Sequence, residues 1–133
     1  MKAFRGLLGL MILPLIVAFS SPPPLPSSFY GSVTIEGWPA PVDTPVEAYI
    51  DGQLVAQTKV LLFEGQSVFA LDVPGDIGDT ETVEGGTTGD PVIFTVAGRA
   101  ATPAGEWRSG TNQRLDLNSG LIVRRLFLPL MKR

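Results

Sequence analysis

The chain has 133 residues, 10 of them Lys or Arg and 13 Asp or Glu, for a formal net charge of −3, and it contains neither His nor Cys. A chain of roughly one domain's length without those two residue types excludes a Ser-His-Asp triad, a thiol nucleophile, a zinc or copper site with nitrogen or sulfur ligands, and a disulfide framework. Hard cations held by oxygen ligands are the metals left open.

The first segment has the order of an export signal. Lys2 and Arg5 precede an uncharged apolar run from Gly6 to Phe19, and small residues stand at Ala18, Ser20 and Ser21. That order predicts a secretory signal peptide over residues 1–20. The run is too short to span about 30 Å of hydrocarbon, and Pro14 interrupts it, which weighs against an uncleaved anchor. It is apolar on every face, which weighs against a buried amphipathic helix. Without Cys there is no lipoprotein route. Residues 21–28 then hold four of the 12 prolines and read as a stiff, extended spacer, with a proline-rich recognition motif as the alternative.

From Phe29 the pattern changes to short β segments. Phe29, Gly31, Val33 and Ile35 alternate with Tyr30, Ser32, Thr34 and Glu36, a period of two that gives one apolar face. Val46, Ala48 and Ile50 alternate with Glu47, Tyr49 and Asp51 in the same way. Asp51-Gly52 supplies the positive-φ pair of a tight hairpin, so Gln53 to Lys59 is expected to return antiparallel. Further strands are expected at Gln66–Val73, with Phe69, Leu71 and Val73 inward, at Pro91–Ala97, with Val92, Phe94 and Val96 inward, and at Asn112–Asn118, with Leu115 and Leu117 inward. A short strand over Arg99–Thr102 follows the turn at Gly98. No segment between Phe29 and Asn118 keeps a helical period. The expected fold is all-β, a small antiparallel Greek-key β-sandwich with one modest core over residues 29–118, and a barrel is the alternative.

Several segments carry a family resemblance: Phe29-Tyr30-Gly31-Ser32-Val33, Gly37-Trp38-Pro39-Ala40-Pro41, Thr44 to Gly52, Leu71 to Asp76, Gly89 to Phe94 and Gly105 to Leu117. Together they resemble prealbumin-like β-sandwich modules of secreted bacterial and archaeal proteins, relatives of the carboxypeptidase regulatory-like and Cna-B-type domains. The resemblance implies an Ig-like sandwich without catalytic activity, serving as a spacer, adhesion unit or accessory binding domain of the cell envelope. The matching positions are turn and core positions, so they speak for the fold more than for an activity. Asp43 and Pro45 flank Thr44 where such modules often carry a Gly before the Thr. Some Cna-B-type domains cross-link a Lys to an Asn, but Lys59 falls on the outward side of its strand relative to the core, away from the partners that Asn112 or Asn118 would provide.

Charge is uneven along the chain. Residues 29–118 hold all 13 acids and only four bases, Lys59, Arg99, Arg108 and Arg114, a net −9, which argues against a nucleic-acid partner. The tail, residues 119–133, adds Arg124, Arg125, Lys132 and Arg133. Acids concentrate between Asp72 and Asp90 with no base among them. Calcium is the one cofactor they suggest, with Asp76, Asp79, Glu81 and Glu84 as ligands; the spacing is not that of an EF-hand, and a solvated acidic connection is the plainer reading.

Tyr30, Trp38, Tyr49 and Trp107 are candidate ligand-binding residues, because exposed aromatic rings stack on sugars; for the tryptophans a core position is the alternative. No pair of carboxylates stands out for glycoside hydrolysis, so no catalytic residue is assigned and a non-enzyme is expected. The partner is expected to be a protein or glycan of the cell surface, with no transmembrane span in the mature chain and no oligomeric state indicated. The tail from Gly120 to Arg133 is apolar but split by Arg124-Arg125 and Pro129, too interrupted for a membrane helix. It resembles Leu-Pro-Leu endings of some secreted bacterial proteins, a sorting or attachment signal, with an added edge strand from Leu121 to Leu128 as the alternative. The export reading predicts that material secreted by the producing cell begins near Ser21 on N-terminal sequencing; an intact Met1 in the cytoplasm would contradict it.

Overall fold

The computed structural model describes residues 22–78 and 81–120. The expected signal peptide and the tail from Leu121 onward lie outside the described residues. Within them the chain is all-β, with ten strands and no helix. No helix among the described residues is long and apolar enough to cross a membrane.

Strand β1 (Ser27–Ile35) turns at Glu36-Gly37 into the two-residue β2 (Trp38–Pro39). Strands β3 (Pro45–Ile50) and β4 (Gln53–Lys59) form the hairpin expected at Asp51-Gly52, whose φ angles of 51° and 77° put both residues in the left-handed region of a tight hairpin turn. The same turn recurs at Glu64-Gly65, between β5 (Leu61–Phe63) and β6 (Gln66–Val73), and at Ala97-Gly98, between β7 (Pro91–Val96) and β8 (Arg99–Glu106). The chain finishes with β9 (Asn112–Arg114) and β10 (Leu117–Ser119). Asp43, where a Gly was expected from the resemblance, takes φ 75°; Asp tolerates that region better than most residues with a side chain. Its amide donates to the Val60 carbonyl at 2.8 Å.

The strands pair in the order β4-β3-β7-β8-β10-β1-β6-β5, with β2 and β9 attached to β1. The first and last strands of this path, β4 and β5, are consecutive in sequence and separated only by Val60, so the sheet curls until its two ends are one bent piece of chain. Val60 is buried at the bend and exchanges backbone hydrogen bonds with Asp43 and Thr44. Strand β1 is the other hinge of the curl. Its residues 27–32 pair antiparallel with β6, and residues 34–35 pair with β2. Along its remaining edge β9 and then β10 run parallel to it, in the same register on both sides of a break at Leu115-Asp116.

The sheet is therefore mixed, and the expectation of a purely antiparallel one is corrected. The expected single strand at Asn112–Asn118 is two short ones, because Leu115 and Asp116 leave the ladder where β1 passes Gly31. There the Leu115 amide donates to the Tyr30 carbonyl at 2.7 Å, and the Asp116 carboxylate stands in for a backbone acceptor by taking the Ser32 amide at 3.0 Å. A Cβ on Gly31 would overlap the Leu115 carbonyl oxygen. Strand β8 runs on to Glu106 past the expected Thr102, with its register against β7 shifted between Val92 and Phe94. Strands β2 and β5 were not expected at all: one is two residues long and the other, Leu61-Leu62-Phe63, does not alternate in polarity.

The period-two faces pack as their alternation requires. Phe29 and Val33 from β1, Val46, Ala48 and Ile50 from β3, Phe69, Leu71 and Val73 from β6, and Val92, Phe94 and Val96 from β7 are all buried. The curl sets β7 against β1 and β6: the Phe94 ring meets Phe29 edge-on at 5.4 Å and Phe69 at 5.9 Å, a favoured arrangement for aromatic pairs. Strand neighbours of these rings, Tyr30 on β1 and Ile93 on β7, consequently face away from the core on opposite sides of the molecule.

Two glycine substitutions separate backbone strain from close approach. Gly52 has no atom near a would-be Cβ, so Gly52→Val should cost about 1 kcal/mol for the positive φ alone. Gly31→Ala should cost more, about 2–3 kcal/mol, because β1 and Leu115 must part. Urea unfolding of both variants checks this, and equal losses would contradict the account of Gly31.

Candidate functional site

The outer side of β1, β5 and β6 carries a groove. Its floor is made by the small residues Gly31, Ser32 and Ala70 with Val68, and its walls by Tyr30, Leu61, Phe63 and Arg114. The depression has a volume of about 430 Å³. Two smaller, more polar depressions continue it along β1 and β6, one toward Ser28, Asp72 and Asn112, the other toward Thr34, Gln66 and Ser67. The local sequence explains the shape. In β6 the outward positions Val68 and Ala70 are apolar where a solvated strand would carry polar residues, and in β5 all three side chains are exposed, Phe63 at 60%. Exposed apolar surface concentrated in one concavity marks a recognition site more often than scattered exposed residues do.

Arg114 is set on the groove wall by register: it pairs with Tyr30 across the β1–β9 ladder. Its Nε donates to Asp116 Oδ1 at 3.3 Å, and the same oxygen accepts the Ser32 amide. That backbone N–H first, and the guanidinium after it, hold the Asp116 carboxyl below its ordinary value against the opposing effect of partial burial. The ion pair is exposed, so its worth lies in orienting the guanidinium more than in stability.

Of the aromatic residues singled out in the sequence, only Tyr30 lies in the groove. Trp38 is on β2, beyond the far end of β1, with 70% of its surface exposed. Tyr49 lies on the opposite outer face, between Leu54 of β4 and Ile93 of β7 in the cross-strand register. Its hydroxyl donates to Glu47 Oε1 at 2.8 Å, which raises the phenol above its usual value. Trp107 is in the core at 2% exposure. Its indole N–H donates to the Val73 carbonyl at 3.0 Å, and Gly86 lies so close that a Cβ there would overlap the ring. Neither face of Trp107 is open to a sugar, so the core alternative describes it.

The acidic stretch is folded down by this same tryptophan. Gly75 and Gly86 form a bridge beside the indole, the Asp76 amide donates to the Gly86 carbonyl at 3.0 Å, and Asp76 Oδ1 accepts the Glu84 amide at 3.0 Å. Asp90 accepts from both the amide and hydroxyl of Thr87, and its carbonyl takes the Trp107 amide. Two of the acids thus close loops on their own backbone. Among the described residues no three Asp or Glu side chains converge to hold a metal ion; Asp79, one of the four suggested calcium ligands, lies outside the described residues. Lys59 and Asn118 are on β4 and β10 with three strands between them, and Asn118 Oδ1 is occupied by the Thr34 hydroxyl and the Gly37 amide. A Lys59–Asn118 cross-link therefore has no geometry for it.

Sequence reasoning missed Leu61, Phe63, Val68 and Arg114 as site residues. The signal was present as apolar residues on the outward side of β6 and an unbroken apolar run, Val60 to Phe63, just before a tight turn.

The Asp116 geometry carries a pH prediction. A carboxyl whose folded value is depressed contributes stability that is present above its unfolded value, near 3.8, and is lost as the pH falls through the folded value. Asp116→Asn should therefore melt below the parent at neutral pH and converge with it in strong acid. A constant difference across thermal melts from pH 7 to about pH 2 would contradict this assignment. No family model, curated protein or solved structure matches the chain.

Proposed function

We propose that the chain is a non-catalytic interaction module of a secreted or cell-envelope protein, and that the groove over β1, β5 and β6 is its recognition surface. The groove carries this reading: Tyr30, Leu61, Phe63 and Val68 place apolar side chains around one concavity on an otherwise acidic domain. Its cationic wall residue is Arg114, whose Nε donates to the Asp116 carboxylate. Such a surface binds by area and shape, and lends itself to a protein partner. The curled sheet is on this reading a distorted Greek-key sandwich of the prealbumin-like, carboxypeptidase regulatory-like kind, with the parallel β9 and β10 as its departure. The leader-like residues 1–20 support export.

A second reading, carbohydrate binding, is favoured by one observation, the 70% exposure of the Trp38 ring on β2. An indole so presented has a face available for stacking on a pyranose.

Cell fractionation tests the first reading against the second. The parent should be retained at the cell surface, and Leu61→Ser with Phe63→Ser should release it to the medium, while Trp38→Ala leaves retention unchanged. Retention lost with Trp38→Ala and kept by the groove variant would favour the sugar reading; retention indifferent to both would contradict the groove as a recognition surface.

A further inference from the structure

The molecule has a second apolar outer surface, on the side opposite the groove. Across β4, β3 and β7 the register places Leu54, Tyr49 and Ile93 in one row. Leu54 and Ile93 are each nearly half exposed. These three side chains form an outward ridge one row wide, set between the register shifts of the β3–β4 and β7–β8 pairs, whereas the groove is hollow because Gly31, Ser32 and Ala70 leave its floor low. The next row of the ridge carries a fixed acid. Glu47 Oε1 accepts from the Tyr49 hydroxyl at 2.8 Å and from the Thr95 hydroxyl at 3.3 Å, so its carboxylate is held beside the ridge. The groove wall carries a fixed base, Arg114, oriented by Asp116. Ridge and groove thus both expose apolar side chains and carry fixed groups of opposite charge, Glu47 and Arg114.

We propose that the two surfaces recognise each other between copies of this chain: the Tyr49–Leu54–Ile93 ridge of one copy seats in the groove of the next, with Glu47 against the next copy's Arg114. The inference rests on the reading of the groove as a recognition surface and names its occupant. The two patches are different and lie on opposite sides of the Phe29–Phe94 core contact, so the association is heterologous. A heterologous contact leaves one free groove and one free ridge at the ends of every assembly, and it grows into open chains unless a rotation closes it. Both patches are small, which sets the contact among weak interfaces. The net −9 of residues 29–118 opposes it at long range, and salt that screens this repulsion favours it. A module of this kind would line up copies face to face on a surface, where local concentration is high.

Sedimentation velocity on the full 133-residue chain tests the proposal, over concentrations up to about 1 mM, where weak interfaces are populated. The parent's average mass should rise with concentration past that of a dimer. Phe63→Asp disables the groove and Ile93→Glu disables the ridge; both positions are exposed, and unchanged far-UV circular dichroism checks that the fold survives. Each variant alone should associate at least tenfold more weakly. An equimolar mixture of the two should form dimers and nothing larger, since the pair retains one working groove and one working ridge. A parent that stays monomeric overturns the proposal, as does association indifferent to Ile93→Glu, which would trace it to the groove alone or to the termini that all variants share. A mixture that stays monomeric also overturns it. If the parent is monomeric but the groove variant is still released from the cell surface, self-recognition fails while the module reading stands.

Discussion

At Gly31 the backbone of β1 passes so close to the Leu115 carbonyl that no side chain fits between them. That approach lets a single strand hold both halves of the curled sheet. Before Gly31, β1 is bound to β6 and β9; after it, to β6 as far as Ser32 and then to β2 and β10. The Asp116 carboxylate repairs the one ladder position that the crossing disrupts. With β1 fixed, Phe29 is delivered to Phe94 and Phe69, and the inward faces of β3, β6 and β7 close over them. The opposite hinge, Val60, completes the curl by passing the chain from β4 to β5.

The same geometry makes the outer surface what it is. A strand that must bring its backbone against a neighbour cannot carry bulk there, so the outside of β1 is low at Gly31 and Ser32. The bend at Val60 lays Leu61 and Phe63 beside it. The groove is a by-product of the two hinges that shape the core, and its apolar lining is the part that the core does not require. Val68, Leu61 and Phe63 lie outside the core cluster, and it is this apolarity beyond the core that gives the interaction reading its weight.

Much of the fold was legible from period two alone. The apolar inward residues of β3, β6 and β7 follow from the alternation, while Ser67, buried on β6, does not, and β4 has the bounds that Asp51-Gly52 implies. What escaped notice depended on backbone geometry or on distant partners. Glu64-Gly65 makes the same turn as Asp51-Gly52, but Glu is unusual at positive φ and carries no local sign of it. The parallel pairing of β9 and β10 with β1 joins residues far apart in sequence, and nothing local encodes it. Trp107 could be placed only once Gly75 and Gly86 were seen to lie against it; the glycines read as loop punctuation. The acids of the Asp72–Asp90 stretch suggested a ligand because their backbone partners, the Glu84 and Thr87 amides, are invisible to a charge count. Tyr30 was identified, but its neighbours in the groove come from three other strands.

The central claim is that β1 ties both halves of the sheet into one cooperative unit, and native-state hydrogen exchange tests it most directly. Amides of β1 on both sides of Gly31, in Phe29–Tyr30 and in Val33–Ile35, should exchange only through global unfolding, with equal protection and the same denaturant dependence. A lower-energy opening confined to one side of Gly31 would show that the halves unfold separately and would contradict the account.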